Sequence, residues 1–151
     1  MTRREQAIEY FNKGANCTQA VTLAFSDLLP CAPDILARMA SSFGGGMGRL
    51  REVCGAVSGM FLVLGFLYGF DAEPDRAEKT AHYARIQALA HEFEAEEGSI
   101  VCRQLLGLTH KEDCPTPQAR TPEYYKKRPC QELVGLAADL LERYLLENPL
   151  K

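Results

Sequence analysis

Four cysteines carry the chemistry legible in this chain. Cys17, Cys54, Cys102 and Cys130 each stand where a helix reads as beginning. A helix N-terminus presents backbone N–H groups without intrahelical partners and the positive end of the macrodipole, so a thiol there ionises more readily. Cys17 follows the capping candidate Asn16, and Cys102 comes three residues after Ser99 and just before Arg103. Cys130 follows Pro129, a residue suited to the first helical position, and Lys126, Lys127 and Arg128 precede it. Cys54 has Arg49 and Arg51 upstream. All four thiols are therefore expected to have lowered pKa values, and thiolate is the form that ligates soft metals or attacks disulfides.

Spacing alone leaves the use of these sulfurs open. No Cys-x-x-Cys is present, so neither a zinc knuckle nor a thioredoxin-type motif is written locally. A four-thiolate site would have to be assembled by the tertiary fold from four distant positions. It would suit an iron–sulfur cluster, or a tetrahedral zinc or iron. In an alternative, Cys54 and a second cysteine cycle between dithiol and disulfide. A blander reading makes the cysteines small packing residues in a helical interaction module. Cys31, beside Pro30, and Cys114, in a proline-rich stretch, fall outside the pattern and read as incidental.

Other chemistry-bearing residues carry less. His82 and His91 are nine positions apart, on opposite sides of one expected helix, and cannot chelate together. His110, Glu112, Asp113 and Cys114 could approach a metal, but read more simply as a solvated charged cluster. Glu92, Glu94, Glu96 and Glu97 read as a solvated helix face. The run from Gly44 to Gly48 lacks the Lys-Ser/Thr of a phosphate loop, and its expected task is to turn the chain tightly and bring Cys54 to the site.

The bulk of the chain bounds its class. With 151 residues, 46% hydrophobic and 25% charged, it is large enough for one domain with a real core. A net charge of −3 gives no electrostatic case for nucleic acid or an anionic membrane. The N-terminus, Met1-Thr2-Arg3-Arg4-Glu5, enters an amphipathic pattern without an apolar leader, so a cytoplasmic location is expected, where cysteines point to metal binding or catalysis. Residues 53 to 70 carry no charge over 18 positions, the lower edge of membrane-spanning length. Their glycines, and the amphipathic segments around them that need something to cover, favour a buried central helix without membrane insertion.

The elements that must position the cysteines read as all-α, a compact single-domain bundle of about five to seven helices spanning 1–151. Expected helices run over 3–13, from Cys17 to about Leu29, from Pro33 to near Phe43, over about 50–69, from about Pro74 to Glu97, around Cys102, and from Pro129 to Glu147. Residues 109–129, with Pro115, Pro117, Pro122 and Pro129, read as a long loop with one helical turn near Glu123 to Lys127. On the central helix Gly55, Gly59, Gly65 and Gly69 share one arc. Ala77, Ala81, Ala84 and Ala88 of the long charged helix make the expected small-residue partner.

The ordered series Asn16-Cys17, Phe43-Gly44-Gly45-Gly46-Met47-Gly48, Cys54-Gly55-Ala56-Val57-Ser58-Gly59, Gly98 with Cys102-Arg103-Gln104-Leu105-Leu106, and Cys130 resembles the C_GCAxxG_C_C family of small redox-active proteins. The resemblance covers nearly the whole chain. It carries the family's four signature cysteines onto Cys17, Cys54, Cys102 and Cys130. It implies a helical protein that holds a metal or iron–sulfur cofactor and works near an oxidoreductase or transporter partner. It fixes no substrate, reaction or oligomeric state.

Overall fold

The capping signals translate directly into helix starts. A computed structural model describes residues 1–109 and 114–150. In α1 (Arg3–Asn12) Thr2 and Glu5 close a capping box, and in α2 (Cys17–Leu23) Asn16 and Gln19 close another. The chain continues through α3 (Pro33–Ser41), α4 (Gly55–Tyr68), α5 (Arg76–Glu97), α6 (Cys102–Leu105), α7 (Pro122–Lys127) and α8 (Cys130–Glu147). The fold is all-α: eight right-handed α-helices, with a left-handed turn at Gly44–Met47, and no strand among the described residues. That is one helix more than expected, because the turn inside the proline-rich stretch is a helix in its own right, capped by Thr121.

The core lies where α1, α2, α4 and α8 meet. It is filled by Phe11, Phe25, Met60, Leu64, Val134 and Leu141, all essentially inaccessible to solvent. α1 lies along α8 and α2 along α4, with α3 against α2 and α5 on the outside of α4 and α8. The uncharged stretch forms a 14-residue helix buried from Gly55 to Met60 and again at Val63 and Leu64. No helix among the described residues is long and apolar enough to cross a membrane.

Several boundaries and one packing partner differ from expectation. α2 stops at Leu23, and Ser26–Leu28 forms a separate 3-10 turn. The Thr22 hydroxyl donates to Thr18 O within this short helix, and Phe25 N already bonds Thr22 O, so the α-helical register is lost before Pro30. The central helix starts at Gly55, because Met47, Arg49 and Arg51 have φ of 68°, 66° and 61°. A left-handed run cannot continue into a right-handed helix.

The glycine stripe meets α2, not the long helix. A Cβ on Gly59 would lie 2.9 Å from both Thr18 O and Val21 Cβ, and one on Gly55 would lie 3.1 Å from Cys17 Cβ. A Cβ on Gly65 would meet nothing within 4 Å outside its own helix, and Gly69 is the C-terminal cap. Ala77, Ala81, Ala84 and Ala88 all face solvent, while α5 buries His82, Leu89 and Phe93. The larger apolar side chains of α5 lie on the other face, and burying them returns more free energy than burying an alanine ridge.

Candidate functional site

Each of the four signature cysteines sits at the beginning of a helix. Cys17, Cys102 and Cys130 are first helical residues, and Cys54 is the N-terminal cap of α4. Pro129 is the cap of α8 and not its first residue. Ser99 is not the cap of α6 either. Its hydroxyl accepts from Val101 N and donates to Gln104, steadying the turn before Cys102.

Two sets of contacts bring these starts together. The buried Thr18 hydroxyl donates to Gly55 O at 2.8 Å, locking the first turn of α2 to the first turn of α4. Backbone pairing does the same for Cys54 and Cys102: Cys54 N bonds Ile100 O at 2.7 Å and Cys102 N bonds Glu52 O at 2.6 Å, around an isolated antiparallel bridge between Val53 and Val101. Gly46 lets the 51–52 backbone and Cys102 approach from the other side. The glycine run thus turns the chain tightly, as expected, and also cradles Cys102 and leads to Arg49 and Arg51 on the cavity wall.

All four cysteines line one cavity of about 850 Å³. Lys13, Arg49, Arg51, Arg120 and Arg128 line it too, while no Asp or Glu does among the described residues. None of the six cysteines is in a disulfide. Cys31 and Cys114 are absent from the cavity wall. Of the other metal candidates, His110, Glu112 and Asp113 lie outside the described residues. His82 is engaged with Arg85 at 2.9 Å.

The expected lowering of all four thiol pKa values holds for one. Burial raises Cys54 to about 12, although the backbone N–H groups of Ala56 and Val57 favour the thiolate. The helix-terminus effect is real there, but removal from water outweighs it. Burial likewise raises Cys102, against the opposing pull of Arg51, whose Nη1 stands 3.6 Å from Cys102 Sγ. Cys17 and Cys130 act on each other: the neighbouring thiol raises Cys17 well above its ordinary value and brings Cys130 to about 7. Arg128, Arg51 and Arg120 add to the lowering of Cys130.

The sequence reading missed Arg120 and Tyr124. Arg120 donates to Phe11 O and Ala15 O, pinning the proline-rich segment beside Cys17. The Arg120 and Arg128 guanidiniums lie 5.9 and 5.5 Å from the Tyr124 ring centroid. The available signal was an Arg and a Tyr in an otherwise loop-like stretch just before Cys130.

No curated protein and no solved structure matches this chain. Residues 15–144 match the family described as "Putative redox-active protein (C_GCAxxG_C_C)", a span that includes all four cavity cysteines. The chain belongs to the C_GCAxxG_C_C family of redox-active proteins.

Proposed function

We propose that this is a redox protein in which Cys17, Cys54, Cys102 and Cys130 ligate an iron–sulfur cluster, serving electron transfer or redox sensing. The observation that carries this reading is that Cys17, Cys54, Cys102 and Cys130 all line one arginine-lined cavity that has no Asp or Glu among its described lining residues. The donor set fits such a cluster, which is held by cysteine thiolates. A thiolate-ligated cluster is anionic, and Arg51, whose Nη1 stands 3.6 Å from Cys102 Sγ, would offset that charge.

A single zinc or iron is the weaker candidate for the occupant. One tetrahedral ion with metal–sulfur bonds of about 2.3 Å needs sulfurs about 3.8 Å apart. Among the described residues no group of three or more His, Cys, Asp or Glu is disposed to hold one ion. A cluster distributes its ligands over several irons. When bound, it supplies one-electron chemistry. The chain's own part is to present the sulfurs from four helix starts, exclude bulk water from Cys54 and Cys102, and surround the site with cations. A cytoplasmic setting and an oxidoreductase or transporter partner go with this reading.

A second reading is favoured by the place of Cys17 and Cys130 on the same cavity wall, where each thiol shifts the other's pKa in the opposite direction. In it Cys130, and not Cys54, is the attacking thiolate. Cys130 attacks the disulfide of an oxidant, releasing one thiol, and Cys17 then displaces the second to form a Cys17–Cys130 disulfide.

Anaerobic purification with visible absorption and iron and sulfide analysis tests both. Bound iron and sulfide that are lost in Cys54→Ala support the cluster. A metal-free protein that reversibly loses two hydrogens, and only while Cys17 and Cys130 are both present, moves the assignment to the second reading. Metal-free protein with inert thiols overturns both.

A further inference from the structure

Two arginines on the cavity wall have no acidic partner. Arg120 spends its fork on the carbonyls of Phe11 and Ala15, which accept hydrogen bonds but do not neutralise its charge. Arg128 contacts the Tyr124 ring, and no carboxylate or carbonyl takes its guanidinium among the described residues. By contrast Lys13, on the same wall, is paired with Glu9 at 2.6 Å. Arg3, Arg4 and Arg143, elsewhere on the molecule, all pair with carboxylates. In a protein of net charge −3, two guanidiniums without a carboxylate partner thus meet at one tyrosine on the cavity wall.

The room around them exceeds what the sulfurs need. The cavity of about 850 Å³ extends from the cysteines to Pro115, Pro117 and Gln118 of the proline-rich segment. Pockets of roughly 300–1,000 Å³ hold drug-sized ligands, with a few polar groups fixing orientation against an apolar wall. Tyr124, Tyr125 and Leu106 supply that wall here. A guanidinium fork matches a carboxylate or phosphate with two parallel hydrogen bonds.

We propose that the outer half of this cavity binds a small organic anion, its carboxylate or phosphate head on Arg128 beside Arg120 and its body along Tyr124 and Tyr125. The site stands independently of what the sulfurs hold. Its position would put the ligand beside Cys17 and Cys130, so a redox-active anion would arrive at the sulfurs already oriented.

Ligand-observed NMR titration of the protein as purified, with benzoate, phenyl phosphate and their neutral relative benzamide, tests the proposal. At least one of the two anions should bind, about tenfold or more tightly than benzamide, and added salt should weaken it. The preferred anion identifies the head group. Arg128→Gln should weaken anion binding about tenfold, one charge-assisted contact's worth, while Lys13→Gln, whose cation is already paired, should leave it within about twofold. If Arg128→Gln does not fold, Arg128→Lys keeps the charge, loses the fork, and should still weaken binding. Benzamide binding as well as the anions, no anion binding, or unchanged affinity in the Arg128 variant overturns the proposal. None of these outcomes bears on whether iron and sulfide are bound.

Discussion

Gly46 and Cys102 meet so closely that no side chain fits between them. A Cβ on Gly46 would stand 2.6 Å from Cys102 Cβ and 2.8 Å from Arg51 Cα and Glu52 N. The same residue has φ of 73°, a left-handed conformation that costs an L-residue about 1–2 kcal/mol. Both requirements fall on one position at the wall of the sulfur cavity. Gly46→Ala is therefore expected to destabilise the protein by about 2 kcal/mol or more, since backbone overlap adds to the conformational cost. Urea denaturation measures this, and a change below about 0.5 kcal/mol would contradict the cradle described for Cys102.

The glycines of the central helix divide by environment. Gly59 faces α2 at 2.9 Å, so Gly59→Ala should cost about 1–3 kcal/mol through overpacking. Gly65 lies on the same helix with nothing within 4 Å of a Cβ, so Gly65→Ala should stabilise by about 0.5–1 kcal/mol. Thermal denaturation of the two variants should show Tm shifts of opposite sign.

Those opposite signs also mark what the sequence could and could not convey. Capping is local chemistry, and the reciprocal Asn16–Gln19 bonds that fix Cys17 as a first helical residue need only neighbours in the chain. Helix periodicity placed the four glycines on one arc, but which helix approaches it depends on the volumes of distant side chains. The alanines of α5 lost that position because Leu89 and Phe93 occupy its buried face. The left-handed Arg49 and Arg51 were illegible for a related reason: their conformation is held by Arg51 N bonding Gly45 O and by pairing with the 100–103 segment. The pKa values failed in three cases out of four because helix-start placement is visible in sequence while depth of burial is not.

Thiol reactivity should separate the cysteines by pH in the reduced, metal-free protein. Cys130, brought to about 7, should alkylate with a midpoint near neutral pH. The exposed Cys114, lowered by the Thr116 N–H and by Arg49, should react alongside it. Cys17, Cys54 and Cys102, all raised, should resist iodoacetamide at pH 7. Mass spectrometry of timed aliquots reads all of these at once. In Cys17→Ala, Cys130 loses the neighbouring thiol that lowers its pKa, and its alkylation midpoint should move upward. An unmoved midpoint would show that the arginines alone set it.

Acid sensitivity should originate at the other end of the molecule. Arg85 Nη1 donates to His82 Nδ1 at 2.9 Å and Arg85 Nε to Tyr144 Oη at 2.7 Å, with Phe70 edge-on to the imidazole. Burial, and then the charge of Arg85, lower the His82 pKa below its ordinary 6.5. The folded state binds this proton less readily than the unfolded state, so its contribution to stability is present above pH 6.5 and declines as pH falls toward the folded value. His82→Gln should flatten this part of the stability–pH profile between about pH 7 and 5. An unchanged slope would place the acid sensitivity elsewhere.

The proline-rich segment is expected to depend on two arginines for its place over the cavity. Arg49 donates to Cys114 O and Thr116 O, and Arg120 donates to Phe11 O and Ala15 O, so the segment is tied at both ends to walls that also carry cysteines. Arg120 additionally lies 4.1 Å from the Phe11 ring centroid. Hydrogen bonds from a charged donor contribute about 1.5–3 kcal/mol, enough to change the population of an opened segment by tenfold or more. Arg120→Ala should therefore raise proteolytic cleavage within residues 114–121 at least about tenfold while α4 and α8 keep their hydrogen-exchange protection, because the core between those helices contains no part of the segment. Equal loosening of segment and core would instead make Arg120 part of the global fold.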